Sequence, residues 1–233
     1  MLRLMRALAR HLIGGKKMTS TTFRRYTNLA AAIHLLQRRK ITLLDPSTWD
    51  DRNDAFFMSE YKQRTNSETV LALCFAKSHE TYHHWRVFSH GSDGVCIEFD
   101  EEGLLEAFNT DYSIRHGPVD YKLLKDAKRM SDVDIEQLPF LKRWPYGDEA
   151  EYRVIYIDRE VSKPFHDVPI SLSLIKRITL SPWLASALSE SVKTALKSID
   201  GCSTIKIHRS TLIDNQDWKK LAGRAAPILP ENP

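Results

Sequence analysis

The sequence predicts one α+β domain, a mixed β-sheet with flanking helices. First, strand-like apolar runs recur along the chain: FRRYT, ITLLDP, TVLALCFA, GVCIEF, EYRVIYI, IKRITLSP and TIKIHRS. Second, helical periodicity falls between some of these runs but not all, which disfavours a regular strand–helix–strand repeat. Third, no stretch is long or polar enough to act as an interdomain linker, and no internal repeat occurs. With 233 residues, 42% of them hydrophobic and 27% charged, the chain can bury a substantial core.

The elements follow in order. FRRYT reads as a short strand, after which Asn28 is placed to cap a helix LAAAIHLLQRR with Leu29, Ile33 and Leu36 on its buried side. ITLLDP is a strand ended by Pro46, and STWDDRNDAFF reads as a turn because Asn and Asp bond locally to backbone. TVLALCFA and GVCIEF are further strands, the second running into a helix at EEGLLEAF. Residues 122–138 are highly charged and read as a helix and a loop. EYRVIYI and IKRITLSP are β runs. Leu188, Val192, Leu196 and Ile199 recur at helical spacing, and TIKIHRS completes the sheet.

Charge is unevenly placed. Residues 1–17 hold five of the 34 basic side chains and no acid, so the remaining 29 face 30 acids. A nearly neutral body carries no electrostatic footprint for sequence-independent nucleic-acid binding. The leader, residues 1–18, reads either as a basic amphipathic segment or as a disordered extension with Met18 the natural start. Residues 19–215 form the expected domain and 216–233 a tail. No apolar run reaches the length of a membrane span, and Cys74, Cys96 and Cys202 lack a C-x-x-C pattern. Reduced thiols and a cytoplasmic location are the expectation.

One short motif stands out. His79-Glu80-Thr81-Tyr82-His83 is H-E-x-x-H, which on a helix would hold zinc between two histidines with the glutamate activating water. No apolar helix surrounds it and no third ligand is evident, so no metal is expected, and a zinc hydrolase ranks as the lesser alternative.

Three segments together resemble a known bacterial family. They are FRRY with the turn STWDDRNDAFF, then CFA with WRVFSHGSDGVCIEFD, and LKRWPYGDEAEYRVIY. In order and spacing they resemble the family catalogued as domain of unknown function 2971, over roughly Phe23 to Ser210. Asp51 departs from that family's usual phenylalanine and Ala55 from a frequent proline. The layout is also similar to that of the ADP-ribosyltransferase superfamily, which opens with a basic or polar strand that holds NAD and closes with a glutamate on a late strand. That likeness implies NAD as substrate, with Arg24, Arg25 and Tyr26 on the opening strand, Trp85, Ser89 and His90 in the middle, and Glu149-x-Glu151 as the acidic end. It implies ADP-ribosyl transfer or NAD cleavage, of the kind used in defence or toxin systems, with a protein or nucleic-acid acceptor left open. A non-catalytic nucleotide- or protein-binding module is the alternative.

The residues themselves set physical expectations. On a strand, Glu149 and Glu151 share a face, and their repulsion would separate their pKa values. Glu151 suits stabilisation of an oxocarbenium-like charge, with Glu149 orienting the substrate. The structural alternative is that both are solvated and paired with Arg153 or neighbouring lysines. Alternation sends Arg24 and Tyr26 to one face and Arg25 to the other, so at most one arginine should line a cleft. Asn53 and Asp54 sit in the expected turn, with a ligand role as the secondary reading. Trp85 and Ser89 share a helical face if residues 82–89 are helical.

Overall fold

The computed structural model describes residues 22–89 and 91–224. The leader and His90 lie outside the described residues. The first strand, β1 (Thr22–Asn28), turns Phe23 into the core, where its ring stacks on Phe75 at 5.1 Å and tilts against Tyr152 at 4.7 Å. Asn28 then caps helix α1 (Leu29–Arg38), its Oδ1 accepting from the Ala31 amide at 2.9 Å. The inward stripe of α1 is Ala32, Leu35 and Leu36, whereas Ile33 is exposed. The helix stops at Arg39, which takes the left-handed conformation (φ 54°) and donates its amide to the Leu35 carbonyl.

After β2 (Lys40–Leu44) the chain departs from the expected turn. Residues Arg52–Arg64 form helix α2, with Asp51 as its cap. Only Asp54, Met58 and Tyr61 of α2 are buried. Because one of these is an acid, no apolar stripe marks the helix in the sequence. There follow β3 (Thr69–Ala76), α3 (Tyr82–Phe88), β4 (Gly94–Asp100), α4 (Glu101–Phe108) and β5 (Ile114–Pro118). The charged stretch yields β6 (Asp120–Lys122), the single turn α5 (Leu124–Ala127) and a 3-10 segment, Ile135–Phe140, leading to β7 (Leu141–Arg143). The chain ends through β8 (Glu151–Asp158), β9 (Phe165–Pro169), β10 (Ile175–Leu180), α6 (Ser186–Lys197), β11 (Ile207–Arg209) and α7 (Gln216–Lys219).

The main sheet is mixed and mostly antiparallel, with helices packed against it. Its order is β11-β10-β4-β1-β3-β2-β9, with β8 and β5 joined through β3. Among the described residues only the β10–β11 pair within it runs parallel. Large apolar side chains from β1, β3, β4, β8 and β10 form one core with α1, α4 and α6, including Leu36, Phe99, Phe108, Val154, Ile178 and Leu196. Burying each such side chain contributes roughly 1.5–3 kcal/mol. A smaller cluster on the opposite face joins Met58 and Tyr61 of α2 to Val70, Ala72 and Ile155.

The positioning feature is a fork at β3. Along its whole length, from Thr69↔Asp158 to Ala76↔Glu151, one edge of β3 pairs with β8. Its other edge is shared: β1 meets it at Arg24↔Ala76 and β2 at Leu44↔Ala72. Between these two points Cys74 has a register partner only in β8, namely Arg153. The sheet is therefore open between β1 and β2.

Candidate functional site

A cavity of about 560 Å³ occupies this fork, a size ordinary for small-molecule sites. Its walls are residues 24–27 of β1, Thr42 and Leu44 of β2, residues 72–76 of β3, several residues between Asp45 and Asp54, and a charged wall of Lys142, Glu149, Glu151 and Arg153. Strand β3 makes the floor open. Its alternation sends Leu71, Leu73 and Phe75 into the main core, and leaves the small side chains of Ala72, Cys74 and Ala76 on the other face. There they lie opposite Ile155, Arg153 and Glu151.

The charged wall is a buried network. The Lys142 ammonium lies 2.6 Å from Glu149 Oε2, 3.0 Å from Glu151 Oε2 and 3.4 Å from Asp54 Oδ2. Arg153 donates from Nε to Glu151 Oε1 and from Nη2 to Asp54 Oδ2, both at 2.7 Å, and from Nη1 to the Pro139 carbonyl. All five ionised side chains are less than a tenth exposed. With three carboxylates against two cations, one negative charge is uncompensated when all are ionised.

That imbalance bears on Glu149 and on Asp54, whose carboxyl is also raised by burial. Burial, only partly offset by Lys142, raises the Glu149 carboxyl to about 7. Burial pushes Glu151 the same way, but Arg153 and Lys142 together outweigh it and bring that carboxyl down to about 2. Both oxygens of Glu151 are held by cations. Glu149 has only Oε2 so held; its Oε1 faces the half-exposed His83, 3.9 Å from Nε2.

Glu149 and Glu151 reach one another by a different route from strand alternation. Glu149 ends the 3-10 segment Trp144–Glu149, Ala150 takes the left-handed conformation (φ 44°), and Glu151 begins β8. The expected separation of their pKa values occurs, with burial and unequal cation pairing as its cause. Both acids are paired with Arg153 or Lys142, but the expectation that they would be solvated is corrected: both are buried.

The opposite side of the cavity is β1. Here the expectation that only one arginine could line a cleft is corrected, because the cavity lies in the gap beside the strand and meets side chains from both of its faces. Arg24 is buried, donating from Nη1 to the Ser78 carbonyl at 3.0 Å and lying 3.4 Å from Glu98. Arg25 lines the same cavity, and no described residue forms a hydrogen bond or ion pair with its guanidinium. Burial lowers its pKa to about 10. Tyr26 also lines the cavity, stacked on His84 at 5.1 Å and edge-on to Trp85 at 5.3 Å.

Arg24, Arg25, Tyr26, Asp54, Glu149 and Glu151 therefore share one cavity. Asn53, Trp85 and Ser89 do not line it. Asn53 is exposed, its side chain donating to the Asp51 cap at 3.0 Å. Trp85 and Ser89 do share one side of the α3 turn: Ser89 Oγ donates to the Trp85 carbonyl at 2.7 Å, and the buried indole donates to Glu80 at 2.6 Å. Val87 and Phe88 of the same helix reach the cavity instead.

The H-E-x-x-H motif does not have zinc-site geometry. His79 and Glu80 precede the α3 cap at Thr81, so the two histidines are not on one helical face. Glu80 Oε1 is occupied by Trp85 and by the Ser210 hydroxyl at 2.5 Å. No group of three or more metal-ligating side chains suited to an ion occurs among the described residues.

Lys142 escaped the sequence reading. Its signal is indirect: two acids bound for the interior beside a strand require a cation, and LKR lies just upstream.

No family model and no curated protein matches the chain. Among solved structures it is similar to Thermus sp. 2.9 DarT in complex with NAD+ (TM-score 0.43, 11% identity) and with carba-NAD+ (TM-score 0.42, 11% identity). Each match covers 85% of this chain and 97% of that one. It is also similar to Thermus sp. 2.9 DarT in complex with ADP-ribosylated ssDNA (TM-score 0.43, 12% identity), covering 85% and 96% of the two chains. At these values the likeness assigns no role to any residue here.

Proposed function

We propose that the cavity binds NAD and that the protein transfers ADP-ribose from it, or cleaves it, at the nicotinamide–ribose bond. The observation that carries this reading is the opposite character of the two walls: an unpartnered guanidinium at Arg25 and, across the fork, a carboxylate network with one negative charge in excess. NAD has the matching asymmetry. Its pyrophosphate is anionic and suits a free arginine fork. Its nicotinamide ring is cationic, and the ribose becomes oxocarbenium-like as the glycosidic bond breaks.

In this reading Arg25 holds the pyrophosphate. Glu151, kept ionised and fixed by Arg153 and Lys142, faces the developing positive charge at the ribose. The bonding electron pair leaves with nicotinamide, which departs neutral. The acceptor, water or a macromolecular nucleophile, forms the new bond to ribose and loses one proton. Glu149 accepts that proton, for which a carboxyl near 7 is suited. A bacterial defence or toxin setting accords with such chemistry.

The test is incubation of the full chain with NAD, reading free nicotinamide and label transferred from the adenylate portion to added protein or nucleic acid. Turnover is expected, reduced about 100-fold or more in Glu151→Gln. Absence of turnover together with NAD binding would leave a binding module. Undiminished turnover in Glu151→Gln would remove that residue from its role.

A further inference from the structure

We infer that His83 is a positioning residue that carries protons between the buried Glu149 carboxyl and solvent. This rests on the reading above for its place in a reaction, but the proton path itself is a property of the free protein. Glu149 is 2% exposed, and Lys142 binds its Oε2 at 2.6 Å. The remaining oxygen, Oε1, faces His83 Nε2 at 3.9 Å. That separation is closed by a small side-chain movement or spanned by one water. The imidazole is half exposed and so meets solvent. It sits in the first turn of α3, near the Thr81 cap.

Among the described residues no second half-exposed imidazole pairs with Glu149; the neighbouring His84 is buried and bonded to Ser78 and Thr81. Lys142 from β7 and Glu151 from β8 face Glu149, with Asp54 from α2 and the phenols of Tyr121 and Tyr146 nearby. Lys142 is held in its charged form by the three carboxylates, and burial raises both phenols above their ordinary range, so none of these exchanges protons readily near neutrality. Imidazole is the side chain suited to proton transfer there. In each turnover the acceptor's proton passes to Glu149, from Oε1 to Nε2 of neutral His83, and from Nδ1 of the resulting imidazolium to water. The histidine returns to its neutral form and charge balances.

Two measurements test this on the full chain. In the protein without ligand, the infrared band of the protonated Glu149 carboxyl, identified by its loss in Glu149→Gln, is followed after rapid transfer into deuterium oxide, where it shifts as the proton is exchanged. In His83→Asn this exchange is expected to slow about 10-fold or more, because the imidazole that passes the proton to solvent has been removed. An unchanged exchange rate overturns the inference whether or not NAD is a substrate. With NAD, His83→Asn is expected to lower turnover about 10-fold or more at low buffer concentration, with added imidazole restoring it. Full activity of the variant, or loss that imidazole leaves untouched, overturns it also. If the wild type does not turn NAD over while exchange at the carboxyl slows in His83→Asn, the proton path stands and the proposed function falls.

Discussion

Asp54 and Arg153, 99 residues apart in sequence, meet at 2.7 Å in a site that excludes solvent from both. This contact ties α2 to β8, the strand between β3 and β5, and with Lys142 it fixes where the acidic wall of the cavity lies. Breaking one side of it is costly. Arg153→Met would leave Asp54 and Glu151 short of a cation, and a stability loss of about 3–5 kcal/mol is expected in urea denaturation. A double-mutant cycle with Asp54→Asn should give a coupling of about 1 kcal/mol or more. Additive losses would mean the contact is not a functional unit of the fold.

Arg25 should behave in the opposite way. Its guanidinium is desolvated without a described partner, so Arg25→Gln removes a burial cost and no ion pair. The thermal midpoint is expected to hold or rise. Affinity for NAD, measured by calorimetry, should fall about 10- to 100-fold, the worth of a charge-assisted hydrogen bond. Retained affinity would place the pyrophosphate elsewhere.

Glu149 contributes a pH dependence of stability with a definite sign. Its folded pKa, about 7, lies above the unfolded value of 4.5, so its contribution is fully present below 4.5 and is lost as pH rises through 7. Glu151, lowered to about 2, contributes above 4.5 and loses that contribution only as pH falls toward 2. His84 runs against Glu149 in part. Burial, with help from His83 and Arg24, lowers it to about 4, so its contribution is present above 6.5 and fades as pH falls through 4. The difference between wild type and Glu149→Gln isolates the first effect. Denaturation midpoints from pH 4.5 to 7 should decline more steeply in wild type than in the variant.

Glu80 is expected to be structural. Its Oε1 accepts from both the Trp85 indole and the Ser210 hydroxyl, joining α3 to the segment after β11. Glu80→Ala should cost about 1–3 kcal/mol in chemical denaturation by leaving those donors unpaired. Purified wild type and His79→Ala should carry the same metal content. Stoichiometric zinc lost in His79→Ala would revive the zinc-site reading.

Much of the fold was legible because it depends on side-chain period. TVLALCFA, GVCIEF and EYRVIYI announce strands, and Asn28 announces the helix it caps. Helix α2 was hidden because its inward residues, Asp54, Met58 and Tyr61, include a charge whose partner is far away in sequence. The site was half legible. Glu149, Glu151 and the Arg24–Tyr26 strand could be singled out, but their convergence depends on a fork that local sequence does not encode. The alternation of Leu71, Leu73 and Phe75 with Ala72, Cys74 and Ala76 was a readable sign of a packed face and a hollow one. Arg25 could not be placed in the cavity by alternation, since that rule assumes an unbroken sheet.

The divergence of β1 and β2 from a common edge has a mechanical consequence. Around Cys74 the two arms of the sheet are not stitched to each other by peptide hydrogen bonds, so an occupant touching both arms becomes the brace between them. Binding should thus be registered as slower amide exchange along β1 and β2, and the tightness of any ligand should scale with how completely it spans the two arms.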